Sequence, residues 1–194
     1  MKIKGQRVFL RDFIHEDIED MIEWQTIETE WCQWDAPWEM EEEEPFNADA
    51  YRARMTESLS RERDPDRLRY GFQLCVDDET KKHIGWVNAY FIDENYRYIK
   101  GKGNLTIGND IPDMASRRKG YATEAWRLYI RYLLDHGIKE IYTQTWSGNV
   151  RVLGLMNKIG FIECYREKDF RTVRGQLFDG LTLKLNVDSF IMNQ

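Results

Sequence analysis

The stretch 105–133 changes its hydrophobic period at a glycine, and this change constrains the fold more than any other feature of the chain. Residues 105–111 follow the two-residue period of a strand. Beyond Gly120, apolar residues recur every three or four positions until Asp135, His136 and Gly137, which together are typical of a helix end. A strand that passes through a glycine turn into an amphipathic helix is a unit of an α/β fold.

The rest of the chain continues this succession of strand and helix patterns. Strands are predicted at 7–13, 70–76, 83–92, 105–111, 140–146, 161–166 and 177–185, and helices at 15–25, 48–61, 122–133 and 149–158. An antiparallel meander followed by crossovers predicts an α/β (α+β) fold, with a mixed, mostly antiparallel central sheet flanked by helices on both faces. With 194 residues, 42% of them hydrophobic, the chain is long enough to form one domain over residues 1–194.

Charge and cysteine content narrow the classes of function. The formal net charge is -6 and the sequence pI is near 5.2, which argues against general affinity for nucleic acid and favours positively charged partners. The three cysteines form no CxxC pair and the histidines share no metal-ligand spacing, so we expect neither a disulfide framework nor a bound metal. No stretch has the apolar length of a signal peptide or a membrane span, so we expect a cytoplasmic protein without membrane association.

Three consecutive cations, Arg117, Arg118 and Lys119, precede Gly120 at the start of the predicted helix. The first amides of a helix have no intrahelical acceptor, and the helix dipole adds partial positive charge there. A glycine lets an anionic ligand approach the backbone closely. The stretch therefore predicts an anion site, and the alternative is a solvated charge run. A nucleotide-binding module would use the same turn, but the chain has neither a Walker GKS/T nor a GxGxxG motif.

The same stretch resembles a known family. Residues 117–122, RRKGYA, resemble the Q/R-x-x-G-x-G/A signature of the GNAT N-acetyltransferases, and GYATEA is similar to the RimJ/RimL-type branch of that superfamily. The segments LTIGNDI, GNVRVLGLMNKIGF and VFLRDFIHEDIEDMIEW resemble other parts of the family. The resemblance covers nearly the whole chain and accounts least for residues 32–66. It implies a GNAT acyltransferase fold, whose central sheet is splayed at its middle strands.

The resemblance also implies acetyl-coenzyme A as cosubstrate, with no metal. The amides of the glycine turn would wrap its pyrophosphate, and the three cations would supply charge to the pyrophosphate or to the ribose phosphate. The backbone near Ile111 would pair with the pantetheine arm. Asn149 would hold that arm from the other side, and a role as helix N-cap is the alternative. The cofactor-binding residues implied are Ile111, Arg117, Arg118, Lys119, Gly120, Tyr121, Ala122, Thr123 and Asn149.

Acetyl transfer to an amine requires a base, because an ammonium with a pKa of about 10 is mostly protonated at neutral pH. Where many relatives carry a strand glutamate, this chain has Thr106, and Asp110 lies four residues further on the same strand face. Asp110 is therefore the candidate catalytic base, and a solvated strand-end carboxylate is the alternative. Met156 stands where the family often has a tyrosine acid. The acid role then falls to Ser147, Thr145, Tyr165 or water.

The acceptor pocket of this family is lined by the first two helices and the last hairpin. The segment WCQWDAPWEMEEEE falls in that region, and its aromatic rings and carboxylates suit a cationic amine. The alternative is a partly buried aromatic loop with a solvated acidic edge. The candidate acceptor-binding residues are Trp34, Asp35, Trp38 and Glu39.

The resemblance thus implies an enzyme that transfers acetyl from acetyl-coenzyme A to a primary amine by direct attack in a ternary complex. The acceptor would be a protein N-terminus or a small cationic amine, because the branch that this chain resembles includes enzymes for both. A non-catalytic sensor or scaffold that binds acyl-coenzyme A is the alternative, because the strand glutamate and the tyrosine are missing. Members of the family often form homodimers.

Overall fold

The computed structural model describes residues 1–38, 44–62 and 64–192. Within these ranges the strands are β1 (Lys2–Lys4), β2 (Val8–Arg11), β3 (Gly71–Val76), β4 (His83–Ile92), β5 (Tyr98–Ile99), β6 (Asn104–Asp110), β7 (Ile141–Trp146), β8 (Phe161–Val173) and β9 (Gln176–Leu185). The α-helices are α1 (Asp17–Thr26), α2 (Ala48–Ser60), α3 (Tyr121–Asp135), α4 (Val150–Ile159) and α5 (Val187–Met192). Two 3-10 helices span Thr29–Gln33 and Met114–Ser116. None of the helices described has the length and apolar character needed to cross a membrane.

The strands form one nine-stranded sheet with the order β1-β2-β3-β4-β6-β7-β9-β8, and β5 pairs with β4 beside this path. Strands β6 and β7 pair in parallel, whereas the other neighbouring strands described pair antiparallel. The parallel pair requires a crossover, and α3 supplies it. The predicted mixed, mostly antiparallel sheet is therefore confirmed.

Strands β6 and β7 diverge soon after they meet. Their ladder consists of two residue pairs, Leu105 with Ile141 and Thr106 with Tyr142. Beyond these pairs, β6 continues to Asp110 with β4 as its ladder partner. The Thr143 hydroxyl donates to the Ile107 carbonyl at 2.9 Å at the base of the gap. The sheet is thus splayed at its middle strands, as the resemblance implied.

Helices cover both faces of the sheet, as predicted. The main core lies on the face covered by α3, α4 and α5, and Trp126, Tyr129 and Leu133 of α3 are almost completely buried in it. Helix α1 covers the opposite face, where Trp24 packs against Trp86 with ring centroids 5.8 Å apart. The alternation of side chains along β4 separates the two layers, because Val87 belongs to the main core and Trp86 to the other face.

The C-terminal hairpin is longer than its sequence pattern predicts. Strand β8 extends to Val173, although the period-2 pattern predicted an end at Arg166. Two register irregularities interrupt its pairing with β9, and most of its side chains are exposed, so its apolar residues do not alternate regularly. Arg174 and Gly175 form the turn, both with positive φ, which suits a two-residue hairpin.

A buried ion pair holds α1 against β2. Arg11 donates two hydrogen bonds of 2.6 Å to the Asp17 carboxylate, whose residue is 1% exposed. The Ile14 amide donates to the same carboxylate at 2.8 Å. His83 Nδ1 lies 3.3 Å from Asp17 and 2.8 Å from Asp20, so a third element, β4, contributes to this polar cluster. Because Arg11 neutralises Asp17, the cluster has a structural explanation.

We expect Asp17→Asn to lower the free energy of unfolding by about 3 kcal/mol, because it leaves the Arg11 guanidinium without its charged partner in a mostly buried position. Urea denaturation followed by tryptophan fluorescence measures this change. Asp49→Asn is the matched control, since the Asp49 carboxylate is 96% exposed and pairs with Arg52 in solvent. Its effect should stay below about 0.5 kcal/mol. Similar small losses from both variants would contradict the structural role of Asp17.

Candidate functional site

A cleft of about 730 Å³ opens where β6 and β7 diverge. One wall consists of the end of β6 and the start of α3, and the other consists of β7 and α4. The 3-10 helix Thr29–Gln33 and the residues that follow it close one side, with Glu30, Trp31, Trp34 and Asp35 among the lining residues. The cleft therefore brings the predicted cofactor loop and part of the predicted acceptor segment into one space.

The glycine turn presents the first amides of α3 to this cleft. Gly120 adopts φ +81°, a left-handed conformation that favours glycine, and Arg118 adopts φ +60°. The first helical hydrogen bond runs from the Glu124 amide to the Gly120 carbonyl at 3.2 Å. The amides of Tyr121, Ala122 and Thr123 therefore precede the helical hydrogen-bond pattern, and these residues line the cleft. Their geometry suits a phosphate group.

Arg7 and Glu124 hold this turn in place, and sequence reasoning missed both residues. Glu124 accepts hydrogen bonds from the Gln6 amide at 2.6 Å and from the Arg7 amide at 2.9 Å. The Arg7 side chain donates to Glu124 Oε2 at 3.0 Å and to the Lys119 carbonyl at 2.8 Å. No local pattern signals these contacts, because more than 100 residues separate the partners. The loop between β1 and β2 thus supports the cofactor turn.

The three consecutive cations occupy different positions. Arg117 Nε donates to the Ile111 carbonyl at 2.7 Å, Nη2 donates to the Pro112 carbonyl at 3.1 Å, and Nη1 pairs with the Glu30 carboxylate. Arg118 is exposed and lines the cleft. Lys119 is exposed and is not among the described residues that form the cleft wall. Of the three, Arg118 therefore has the placement that best suits a bound anion, and phosphate contacts by Arg117 and Lys119 stay predictions.

Asn149 caps α4 and also contacts the aromatic segment. Its Oδ1 accepts from the Val152 amide at 3.3 Å, which is the alternative that the sequence offered. Its Nδ2 donates to the Trp34 carbonyl at 2.7 Å, and Trp146 Nε1 donates to the same carbonyl at 2.9 Å. Both polar groups of the Asn149 side chain are therefore engaged within the protein, and its contact with a pantetheine arm stays a prediction.

Asp110 lies at the end of β6 and lines the cleft together with Asp35. Removal from bulk water raises the pKa of Asp110 well above the usual range, the nearby Asp35 carboxylate raises it further, and the Arg117 guanidinium opposes both effects. Asp35 stays accessible from the cleft, but the surrounding walls limit its contact with bulk water and raise its pKa as well. The cleft thus holds two carboxyl groups whose environment favours protonation.

The predicted acceptor residues divide into two groups. Trp34 and Asp35 line the cleft. Trp38 instead packs edge-on against Trp146 and Phe170, with ring centroids 6.5 and 5.3 Å away, outside the cleft wall that the described residues form. Glu39 lies outside the described residues.

The Trp34 ring already has cationic neighbours. The guanidinium carbon of Arg151 lies 3.8 Å from the ring centroid and that of Arg174 lies 5.7 Å away. Trp34 Nε1 donates to Glu30 Oε1 at 2.9 Å. An amine that contacts this ring must therefore share it with Arg151.

Met156, which stands where the family often has a tyrosine acid, also faces this region. It lines the cleft, and its side chain offers no proton. Thr145 lines it too, whereas the Ser147 hydroxyl accepts from the Asp179 amide at 3.0 Å and Tyr165 stacks on Tyr96. Of the side chains suggested for the acid, Thr145 is thus the one placed in the cleft.

Several features of the cleft suit a long, acceptor-rich anionic ligand such as a coenzyme A thioester. The Nδ2 of Asn109 and the Nε1 of Trp126 are buried donors in lining residues, and neither has a partner in the described part of the chain. Strand β6 keeps backbone groups beyond Thr106 that β7 does not pair. Together with the amides at the start of α3, these groups offer donors along the cleft.

Comparison with known families agrees with this geometry. The chain matches the family model described as acetyltransferase (GNAT) domain over residues 7–162. A search of curated protein sequences gives no match.

Solved acetyltransferases have the same fold. An acetyltransferase of the GNAT family from Bacillus anthracis has a TM-score of 0.68 and 18% identity, with 95% of this chain and 98% of that chain covered. RimL, a ribosomal L7/L12 alpha-N-protein acetyltransferase solved in complex with coenzyme A, has a TM-score of 0.67 and 11% identity, with coverage of 95% and 97%. A chimera of the spermidine N-acetyltransferase SpeG from Vibrio cholerae and hSSAT has a TM-score of 0.65 and 15% identity, with coverage of 96% and 99%.

The raised pKa of Asp110 predicts a pH-dependent gain in stability for Asp110→Asn. Above the ordinary pKa of an aspartic acid, about 4, ionisation of this carboxyl costs free energy in the folded state, and the cost grows until the pH passes the raised pKa. The melting temperature of the variant should therefore exceed that of the wild type at pH 7.5, by about 2–4 °C for each kcal/mol relieved. The difference should shrink towards pH 4.

Differential scanning fluorimetry across this pH range measures the effect. Asp49→Asn is again the control, because its carboxylate is exposed and should give no comparable change. A wild-type melting temperature equal to or above that of Asp110→Asn at pH 7.5 would contradict a raised pKa of Asp110 in the folded state.

Proposed function

Because this chain belongs to the acetyltransferase (GNAT) domain family, we propose that it is an acetyl-coenzyme A-dependent N-acetyltransferase that acts on a primary amine. One observation carries the proposal. The splayed strands β6 and β7 place unpaired backbone groups, the first amides of α3 and the Asp110 carboxyl around one cleft. A donor thioester and an acceptor amine would meet there.

The cofactor side of the cleft has the groups that the donor needs. The amides of Tyr121, Ala122 and Thr123 would hold the pyrophosphate, supported by the positive end of the α3 dipole. The backbone of β6 beyond Thr106 would pair with the amide groups of the pantetheine arm, because β7 leaves it unpaired. When bound, acetyl-coenzyme A supplies an acetyl thioester, whose carbonyl carbon the neutral amine attacks.

Asp110 takes the proton that the attacking nitrogen loses, directly or through one water. Its raised pKa brings this carboxyl closer to the pH at which it works, and a base is most effective when its pKa lies near that pH. Asp35 adds negative charge on the same side, which would attract a cationic amine into the cleft. The thiolate leaves as the carbon–sulfur bond breaks, and solvent can protonate it because a thiol has a pKa of about 8.5.

We assign the chain to the RimJ/RimL-type branch of the family. The acceptor then belongs to one of two classes, a protein N-terminus or a small cationic amine. The resemblance of RRKGYATEA to that branch supports this assignment. RimL is a protein N-acetyltransferase and the SpeG chimera is a spermidine N-acetyltransferase, and both have the fold of this chain. Asp35 and Trp34 suit either class, since both classes present an ammonium group.

A thermal-shift experiment tests the donor half of the proposal. Coenzyme A and acetyl-coenzyme A at 100 times their dissociation constants should each stabilise the protein by about 2.7 kcal/mol, whereas ATP at the same concentration should stabilise it less. Release of free thiol with a panel of peptides and polyamines then tests catalysis. No shift with either coenzyme A species would refute the proposal, and a shift without thiol release for any amine would favour a sensor.

Asp110→Asn should separate binding from chemistry. It removes the base but no group that contacts the donor phosphates, so the thermal shift by coenzyme A should persist while amine-dependent thiol release falls at least about 100-fold. Wild-type turnover in this variant would exclude Asp110 as the base.

The pH dependence of kcat/KM should respond to Asp35 in a defined direction. The Asp35 carboxylate raises the pKa of Asp110, so Asp35→Asn should lower that pKa and move the acidic limb of the profile to lower pH. The KM for the amine should rise at the same time. Asp49→Asn, remote from the cleft in α2, should leave the limb in place. A limb that stays fixed in Asp35→Asn would show that Asp110 does not control it.

A further inference from the structure

We propose that Asn88 of β4 binds the attacking amine, so that its side-chain oxygen and the Asp110 carboxyl hold two hydrogens of one nitrogen. This contact favours primary over secondary amines, because a secondary amine has a single N–H group and must give it to Asp110. The inference rests on the proposed function and extends it to a residue that neither the sequence pattern nor the comparisons assign.

Strand pairing places Asn88 on the same face of the sheet as Asp110. In the ladder between β4 and β6, Asn88 lies opposite Gly108, and Trp86 lies opposite Asp110. Residues two apart on one strand share a face, as do residues directly opposite each other in an antiparallel ladder. Asn88 and Asp110 are therefore diagonal neighbours, whose Cα atoms are separated by about 7–8 Å in such a ladder.

Gly108 leaves the space that the Asn88 amide occupies. A Cβ at this glycine would lie 2.5 Å from Asn88 Oδ1, a separation too short for two non-bonded atoms. The amide therefore lies across β6 at Gly108, where the side chain of any other residue would displace it. Glycine weakens the interior of a strand, and it often marks the close approach of another group. Because Gly108 lines the cleft, the amide oxygen lies beside the cleft wall.

The Asn88 amide is exposed, and its side chain has no hydrogen-bond partner in the described part of the chain. Two neighbouring polar side chains on this face are engaged. The Tyr90 hydroxyl donates to Gln144 Oε1 at 3.1 Å, and Gln144 Nε2 donates to the Tyr96 carbonyl at 2.9 Å. Asparagine is also uncommon within strands. Internal hydrogen bonding therefore does not explain Asn88, and its amide is available to a ligand.

The gap between Asn88 and Asp110 fits one nitrogen atom. Two hydrogen bonds of about 2.9 Å, one to each side chain, span up to about 5.8 Å. This span matches what remains of a diagonal spacing of about 7–8 Å once an amide and a carboxyl extend from their strands. A primary amine can donate one N–H to Asn88 Oδ1 and the other to Asp110, and its lone pair stays free to face the thioester.

The chemical step assigns each hydrogen. As the nitrogen forms its bond to the thioester carbon it becomes positively charged, and the N–H that faces Asp110 gives its proton to that carboxylate. The other N–H stays hydrogen-bonded to Asn88 Oδ1. This hydrogen bond is strongest while the nitrogen carries charge, so it stabilises the transition state more than the free amine. The electron pair of the carbon–sulfur bond leaves with the sulfur.

Steady-state thiol release with paired acceptors tests this role. The probes are the peptide or polyamine that the wild type acetylates fastest, and its derivative with one methyl group on the reacting nitrogen. Asn88→Leu should lower kcat/KM about tenfold for the primary amine and less than about twofold for the secondary amine. Asn95→Leu, in the turn after β4, is the matched control, because Asn95 is also exposed, and it should change neither value.

Asn88→Asp is a second variant that tests the proximity of the two side chains. It keeps an acceptor oxygen in place and adds a negative charge close to Asp110. It should therefore retain the preference for the primary amine and move the acidic limb of the kcat/KM profile to higher pH, because a like charge disfavours ionisation of the base.

Equal losses for both amines in Asn88→Leu, or wild-type kinetics in that variant, would overturn the role of Asn88 and leave the proposed function intact. An acidic limb that stays in place in Asn88→Asp would overturn it as well, since the two side chains would then not be neighbours. Absence of thiol release by the wild type with every amine tested would overturn the proposed function and the role of Asn88 together.

Discussion

The divergence of β6 and β7 is the constraint on which the other features of the site depend. A sheet normally pairs the backbone groups of its central strands, and here the ladder ends after Thr106. The two arms are connected across the gap by the aromatic segment, since the Trp34 carbonyl accepts from Trp146 and Asn149 on one arm while Glu30 pairs with Arg117 on the other. Contacts of the aromatic segment with both arms therefore hold the opening in place.

Charge is distributed unevenly around this opening, although the whole chain is acidic. Amides and cations lie at the turn before α3 on one wall and along α4 on the other, and the carboxyls of Asp35 and Asp110 lie near the end of β6. Glu30 neutralises two arginines in between and so separates the two regions. An anionic donor and a cationic acceptor would each find a complementary surface, and the net charge of the chain describes neither surface.

Local periodicity was sufficient for most of the fold but not for the assignment of single side chains. The pattern predicted β4 and α3 closely, and it placed Gly120 at the helix start, because these features depend on neighbouring residues. It could not show that Arg117 contacts Glu30, since 87 residues separate them. It also missed β1, β5 and α5, which are too short for a periodic signal. The spacing of Arg151, Gly154 and Lys158 places them on one helix face, but the sequence alone does not show that this face lines the cleft.

The gap between β6 and β7 also has a consequence for access. The main core and α3 lie on one face of the sheet, and α1 with its aromatic neighbours lies on the other, so a gap in the sheet is a passage that joins two separate surfaces of the molecule. The cleft has lining residues on both sides of the sheet, because Trp126 belongs to the main core and Trp31 packs against Trp86 on the other face. A ligand that fills the gap would therefore contact both faces of the sheet at once.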